Sequence, residues 1–205
     1  MQGDGRDHLG LIEAEPLDTL ADLAQSQRNA VGDVFERLLF RELFEFRVMQ
    51  TDPNFANYQY QSSTGRLVLL DFGSTRHFEP AFVGHYARIS RAIMAGDHEA
   101  VVREAIGIGY LAADDPPEAQ AAIVEMGLLA CEPLCHAGRY DFRASDLPSR
   151  LRRLGLDLAL RQRLLRPPPP ETMFLHRKLV GSFLLLARLG AQVDARAAIR
   201  PFLAG

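Results

Sequence analysis

The sequence has no tryptophan, only two cysteines and a single lysine, Lys178. Cys131 and Cys135 cannot supply a disulfide framework, so the fold must rest on a packed core, which 205 residues are enough to build. Their spacing of four puts both on one helical face beside His136. Three soft ligands fall one short of a closed zinc site, so the thiols are read as buried and inert, in a reducing compartment. An excess of charge is also missing. The formal net charge of −3 gives no ground for a nucleic-acid partner, which would call for a strongly basic surface. Long apolar runs are absent: the longest, Phe183 to Ala187, stops at Arg188 and is far too short to span a bilayer. The opening MQGDGRDHLG is polar rather than basic and then apolar, so it does not read as a signal peptide. Membrane contact is therefore at most peripheral. Arginine in place of lysine, with abundant alanine and glycine, points to a GC-rich bacterial source. The location that follows is cytoplasmic, at most peripheral to the inner membrane.

What is present is the pattern of a mainly helical globular chain, with 47% hydrophobic and 24% charged residues. The first ten residues are expected to be disordered, and Leu11 to Leu17 forms a connector. Ser26 is placed as the cap of a long amphipathic helix carrying Val31, Val34, Phe35, Leu38, Leu39, Phe44, Phe46 and Met49, ended by Pro53. Thr51 to Asn57 then reads as a loop, Tyr58 to Gln61 and Arg66 to Leu70 as the strands of a hairpin, and Ser62 to Gly65 as its turn. This hairpin is the only β-structure expected. Helices follow over Ala81 to Ala95, from Asp97 to about Ile106, from Pro116 and Pro117 onward, within Ser145 to Leu156, and over Glu171 to Leu189. The run Pro167 to Pro170 marks a rigid corner in preference to a peptide-ligand site.

The chemistry is concentrated in Gln50 to Gly73, QTDPNFANYQYQSSTGRLVLLDFG. It holds Asp52, Asn57 five positions later, and Asp71 fourteen beyond that, arranged as loop, hairpin and strand end. A hairpin brings the residues flanking its two strands together at its open end, so Asn57 and Asp71 should meet, with Asp52 pointing into the same cleft. Oxygen donors of this kind suit hard Mg²⁺, which neutralises the charge of a transferring phosphoryl group. The protein-kinase signature runs H-R-D, four residues, Asn, a hairpin and D-F-G. Here Asp52 to Asn57 has the same step and Asp71-Phe72-Gly73 is a literal D-F-G. Gln50 and Thr51 replace His and Arg, and no A-P-E follows. The short stretch after D-F-G leaves little platform for a peptide, which favours a small molecule, a lipid or water as acceptor.

These residues resemble the UbiB/AarF family of atypical protein-kinase-like ATPases of coenzyme Q biosynthesis. LFRELFEFRVMQTDPNFANY at Leu39 to Tyr58, LVLLDFGSTRHF at Leu67 to Phe78 and PPPPETMFLHRKLVGSF at Pro167 to Phe183 carry the likeness. It implies a kinase-like C-terminal lobe, a helical bundle with one small hairpin at the active-site edge. Residues 1–17 would be a disordered start and the remnant of the inter-lobe hinge, and residues 18–205 the lobe. By the same resemblance Asp52 is the catalytic-loop aspartate, Asn57 and Asp71 bind metal, and backbone at Ile12, Glu13 and Ala14 lies near adenine. ATP and Mg²⁺ are the implied cofactors. Implied partners are an isoprenoid lipid or quinone-biosynthesis proteins, together with a missing N-lobe or a dimer partner. Lys178 stands over a hundred residues after D-F-G, so it cannot be the phosphate-holding lysine of an early strand. The nucleotide loop and the family's K-x-G-Q helix are likewise absent, so weak or no ATP turnover is expected.

Plainer readings stand beside these. Asp52 and Asn57 could merely organise a turn, and loop capping is favoured for Asn54. Phe72 is read as a packing residue, and Ser74, Thr75 and Arg76 as helix entry or phosphate contacts. His176, Arg177 and Lys178 form a small basic patch, read as a structural ion pair ahead of a substrate contact. A large apolar face should be exposed where an upper lobe would sit. The whole chain could be a catalytic lobe, a nucleotide-binding scaffold without turnover, or a helical interaction domain.

Overall fold

A computed structural model describes residues 14–52, 54–161 and 169–204. The expected disordered start, Ile12 and Glu13 of the adenine assignment, Pro53, and Pro167 and Pro168 of the corner lie outside them. Among the described residues the fold is mainly helical with three small sheets.

β1 (Glu15–Pro16) leads into a 3-10 turn, Leu17–Asp22, whose Leu17 and Leu20 are buried against helix α1 (Gln25–Phe40). The helix begins one residue before Ser26. Its cap is Ala24, whose N–H donates to Gln27 Oε1 at 3.2 Å. It is also shorter than its apolar spacing suggests. After Phe40 the chain widens into a π-helical turn, Arg41–Phe46, and Arg47 takes the left-handed conformation at φ 55°. Strand β2 (Val48–Gln50) follows, so Met49 is buried on a strand, not on a helix. Met49 keeps the phase of the preceding helix by coincidence, and a hydrophobic repeat cannot register a reversal that takes a single residue.

The hairpin of β3 (Tyr58–Gln61) and β4 (Arg66–Leu69) forms as expected, with Tyr58 opposite Leu69. It is not the only sheet. β1 extends it on the β3 side, β2 pairs with β5 (Thr75–His77), and β6 (Tyr140–Asp141) pairs with β7 (Gln192–Val193). Thr75 and Arg76 therefore enter a strand, not a helix.

The helices follow their start and stop chemistry. α2 (Pro80–Ala95) opens on proline and ends at Gly96, and α3 (His98–Ile108) is capped by Asp97, whose Oδ1 accepts the Ala100 N–H at 3.0 Å. α4 (Pro117–Ala130) breaks at Cys131 into the short α5 (Glu132–Cys135). Burial pushes the Cys131 thiol up to about 12, as an inert thiol requires. Cys135 is exposed, contrary to its expected burial. α6 (Leu147–Arg161) runs longer than expected, and α7 (Pro170–Leu189) packs its Leu175, Leu185, Leu186 and Leu189 into the core. A last helix, α8 (Ala195–Leu203), was not expected, because it is short and contains Pro201. Its N-cap Asp194 accepts the Ala197 N–H at 2.8 Å.

The main core joins α1, α7, the 3-10 turn and the hairpin through Val31, Phe35, Tyr58, Leu185, Leu186 and Val193. A second cluster, with Leu39, Leu43, Met49, Phe78, Val83 and Leu175, lies under β2 and β5. Full burial of each large aliphatic side chain contributes about 1.5–3 kcal/mol. The catalytic-loop candidate thus sits on packed structure on two sides.

Candidate active site

Two short ladders fix the loop that carries Asp52. On one side β2 and β5 run antiparallel with Gln50 opposite Thr75. The pairing continues as Thr51, whose N–H and Oγ1 both donate to Ser74 O at 3.1 and 2.7 Å. On the other side the hairpin closes with the Leu70 N–H donating to Asn57 O at 3.1 Å. The segments before Asp52 and after Asn57 are therefore each zipped to a segment flanking Asp71-Phe72-Gly73.

Within that frame Asn57 is buried and its Nδ2 donates to Asp52 Oδ2 at 3.2 Å. The other carboxylate oxygen, Asp52 Oδ1, lies 3.2 Å from the guanidinium of Arg177 on α7. Asp71 is exposed, and its Oδ1 accepts the Gly73 N–H at 2.7 Å. The link between the two aspartates is Gln50. Its Oε1 accepts the Asp52 N–H at 2.7 Å and its Nε2 donates to Asp71 O at 2.7 Å. A carboxamide is the side chain that can accept and donate at once over this span. Sequence reasoning saw Gln50 only as a departure from His. Its dual hydrogen-bonding chemistry was the available signal.

The remaining expectations divide. Asn54 caps the short turn Phe55–Asn57, its Oδ1 accepting the Ala56 N–H at 3.1 Å. Phe72 is not a packing residue: it is 64% exposed, and Leu70 before it is 53% exposed, so β4 ends in solvent and not in a buried run. Ala14 lies just before β1, which pairs Glu15 with Tyr60. That puts it near the turn end of the hairpin, about 13 Å along the strand from Asn57 at ~3.3 Å per residue.

His176, Arg177 and Lys178 are not one patch. His176 Nε2 is 2.7 Å from the Tyr110 hydroxyl, Arg177 reaches Asp52, and Lys178 is buried with Nζ 3.1 Å from Glu42 Oε2 and 2.6 Å from the Tyr58 hydroxyl. Three successive helical residues point about 100° apart, so adjacency in sequence is not adjacency in space. Lys178 does form the expected ion pair. Burial raises the Tyr58 phenol and the Glu42 carboxyl above their ordinary values, and Lys178 opposes both shifts.

Among the described residues no three His, Cys, Asp or Glu converge on one point. A divalent ion here would be held by a carboxylate, the Asn57 amide, phosphate and water, and such an all-oxygen set fits Mg²⁺. No helix among the described residues is long and apolar enough to cross a membrane.

Residues 9–105 match the family model of the ABC1 atypical kinase-like domain. The chain is 42% identical over 181 residues to the mitochondrial atypical kinase COQ8B of Rattus norvegicus, covering 88% of this chain and 34% of that protein. It is 34% identical over 184 residues to the mitochondrial atypical kinase COQ8 of Saccharomyces cerevisiae, covering 89% of this chain and 36% of that protein. The chain thus spans about a third of the length of these curated relatives. Among solved structures, Rv3197 from Mycobacterium tuberculosis in its erythromycin complex superposes with a TM-score of 0.69, at 15% identity, over 92% of this chain and 46% of that one. At that identity the likeness speaks for the fold, which is kinase-like. With the Asp52–Asn57 step, the hairpin and the D-F-G held in one frame, the chain belongs to the UbiB family of atypical kinases.

Proposed function

We propose that this chain supplies the Mg²⁺-holding lower half of an ATP site in an atypical kinase or ATPase of coenzyme Q or related isoprenoid-lipid metabolism. The observation that carries the reading is the Gln50 carboxamide, which ties the Asp52 and Asp71 backbones together while Asn57 holds the Asp52 carboxylate. In this reading Asn57 and Asp71 hold Mg²⁺, which neutralises charge on the transferring phosphoryl group when bound. Asp52, steered by Asn57 on one oxygen and Arg177 on the other, orients the acceptor hydroxyl or water and receives its proton. Lys178 is committed to Glu42 and Tyr58, so the lysine that grips the α- and β-phosphates comes from outside these residues. The names of the COQ8 relatives support the kinase class. An upper lobe or a partner chain meets the exposed edge at Leu70 and Phe72, and contact with an isoprenoid lipid surface is peripheral.

The test is a thermal shift with Mg²⁺-ATP. A ligand at a hundred times its Kd adds about 2.7 kcal/mol, which raises the melting temperature of a domain this size by roughly 5–10 °C. Wild type should shift and Asp71→Asn should not. Equal curves for both proteins would sink the reading.

A second reading, a nucleotide-binding scaffold without turnover, is favoured by one contact. Arg177 already pairs with the carboxylate a base would use. A shift with Mg²⁺-ATP, but ADP release no faster than that of Asp52→Asn, selects the scaffold.

A further inference from the structure

The chain's one lysine is among its most buried side chains, 1% exposed, and it sits directly beneath the candidate active site. Lys178 Nζ donates to the Tyr58 hydroxyl at 2.6 Å and lies 3.1 Å from Glu42 Oε2, an ionic contact that is not an aligned hydrogen bond. Glu42 is brought inward by the π-helical turn, and its other oxygen, Oε1, accepts the Gln50 N–H at 3.3 Å. Tyr58 directly follows Asn57. Two of the contacts made by this buried pair therefore end on the residues that place Asp52, Asn57 and Asp71.

Stability alone gives a poor account of the pair. Removing two charges from water commonly costs more than their attraction returns, and well-packed apolar residues of the same volume are often as stable or more so. An apolar pair could not, however, accept the Gln50 N–H or donate to the Tyr58 hydroxyl. We propose that Glu42 is a positioning residue. It fixes the Gln50 peptide, and through it the Asp52 and Asp71 backbones, while Lys178 supplies the counter-charge that lets the Glu42 carboxylate be buried there. The inference rests on reading Asp52, Asn57 and Asp71 as the Mg²⁺-nucleotide site.

Two double variants separate positioning from packing. Glu42→Gln with Lys178→Met removes both charges and keeps an acceptor for the Gln50 N–H. Glu42→Met with Lys178→Met removes the acceptor as well. Amide hydrogen exchange of the full chain should show Gln50 and Asp52 within about threefold of wild type in the first variant and at least ~10-fold faster in the second. The Mg²⁺-ATP thermal shift should persist in the first and shrink in the second. Unchanged exchange at Gln50 and Asp52 in the methionine pair would overturn the proposal, as would equal loosening in both variants.

Wild type alone gives a second arm that needs no variant to fold. Its Gln50 and Asp52 amides should open together with the α7 amides around Lys178 as denaturant is raised. Exchange of the loop amides by local opening at least 100-fold more frequent than that of α7 would count against the proposal. A wild type that ignores Mg²⁺-ATP refutes the functional reading, and the exchange arms still decide the positioning.

Discussion

Glu36 lies on the buried side of α1, and burial pushes its carboxyl up to about 7. The sign follows from that direction. The neutral acid is what the folded state tolerates, so no penalty exists below the unfolded value near 4.5, and stability is lost as pH rises through about 7. At roughly 1.4 kcal/mol per unit the loss is on the order of 3 kcal/mol at high pH. Glu36→Gln should therefore raise the urea midpoint at pH 8.5 and leave it nearly unchanged at pH 5. A gain of equal size at both pH values would show that the carboxyl does not titrate in the fold. Residue type alone puts Glu36 on the solvated face, although Leu39 and Phe40, three and four positions on, share its side of the helix and are buried. The same limit applies to Glu42, Gln50 and Arg177. Their decisive partners lie 8, 21 and 125 positions away, which no local pattern encodes. Of the residues picked out by spacing, Asp52 and Asn57 touch across the short turn Phe55–Asn57, whereas Asp71 is joined to them through its backbone and the Gln50 carboxamide, with its own carboxylate on Gly73.

At the scale of elements, the segments that announce themselves are those whose ends carry chemistry, such as Asp97 before α3, Pro116 before α4 with Pro117 as its first residue, and Gly190 after α7. β2 and α8 carry weaker signals, the first because three residues are too few to alternate and the second because Pro201 reads as a breaker. Two glycines test how packing overrides helix preference. A Cβ on Gly32 in α1 would lie 2.7 Å from Ala191 Cβ and 2.8 Å from Val193 Cγ2, whereas one on Gly155 in α6 would meet nothing within 4 Å. Ala is better than Gly in an open helix by about 0.5–1 kcal/mol. Gly155→Ala should accordingly stabilise by that amount. Gly32→Ala should destabilise by about 1–3 kcal/mol, since α1 must move off β7. Denaturant unfolding of both variants checks the pair, and a stabilised Gly32→Ala would contradict the close approach.

At the scale of the whole molecule, α7 is the spine. It fills the core with leucines, and the opposite stripe of Met173, Arg177, Val180 and Leu184 is exposed beside the catalytic loop. Exposed apolar side chains thus stand on this stripe and, beside the hairpin, at Leu70 and Phe72. Val180→Gln with Leu184→Gln should change stability by less than ~0.5 kcal/mol each, as surface substitutions do, and should reduce self-association measured by light scattering. A large loss of stability would place these side chains in a core instead. A last consequence concerns regulation. Between Asp71, held by Gln50, and Thr75, where β5 begins, the chain has only Phe72, Gly73 and Ser74, and Ser74 is itself clamped by Thr51. A lever needs slack, and three residues pinned at both ends have none. A swing of this stretch on its own would first have to break the Gln50 and Thr51 hydrogen bonds that fasten its two ends.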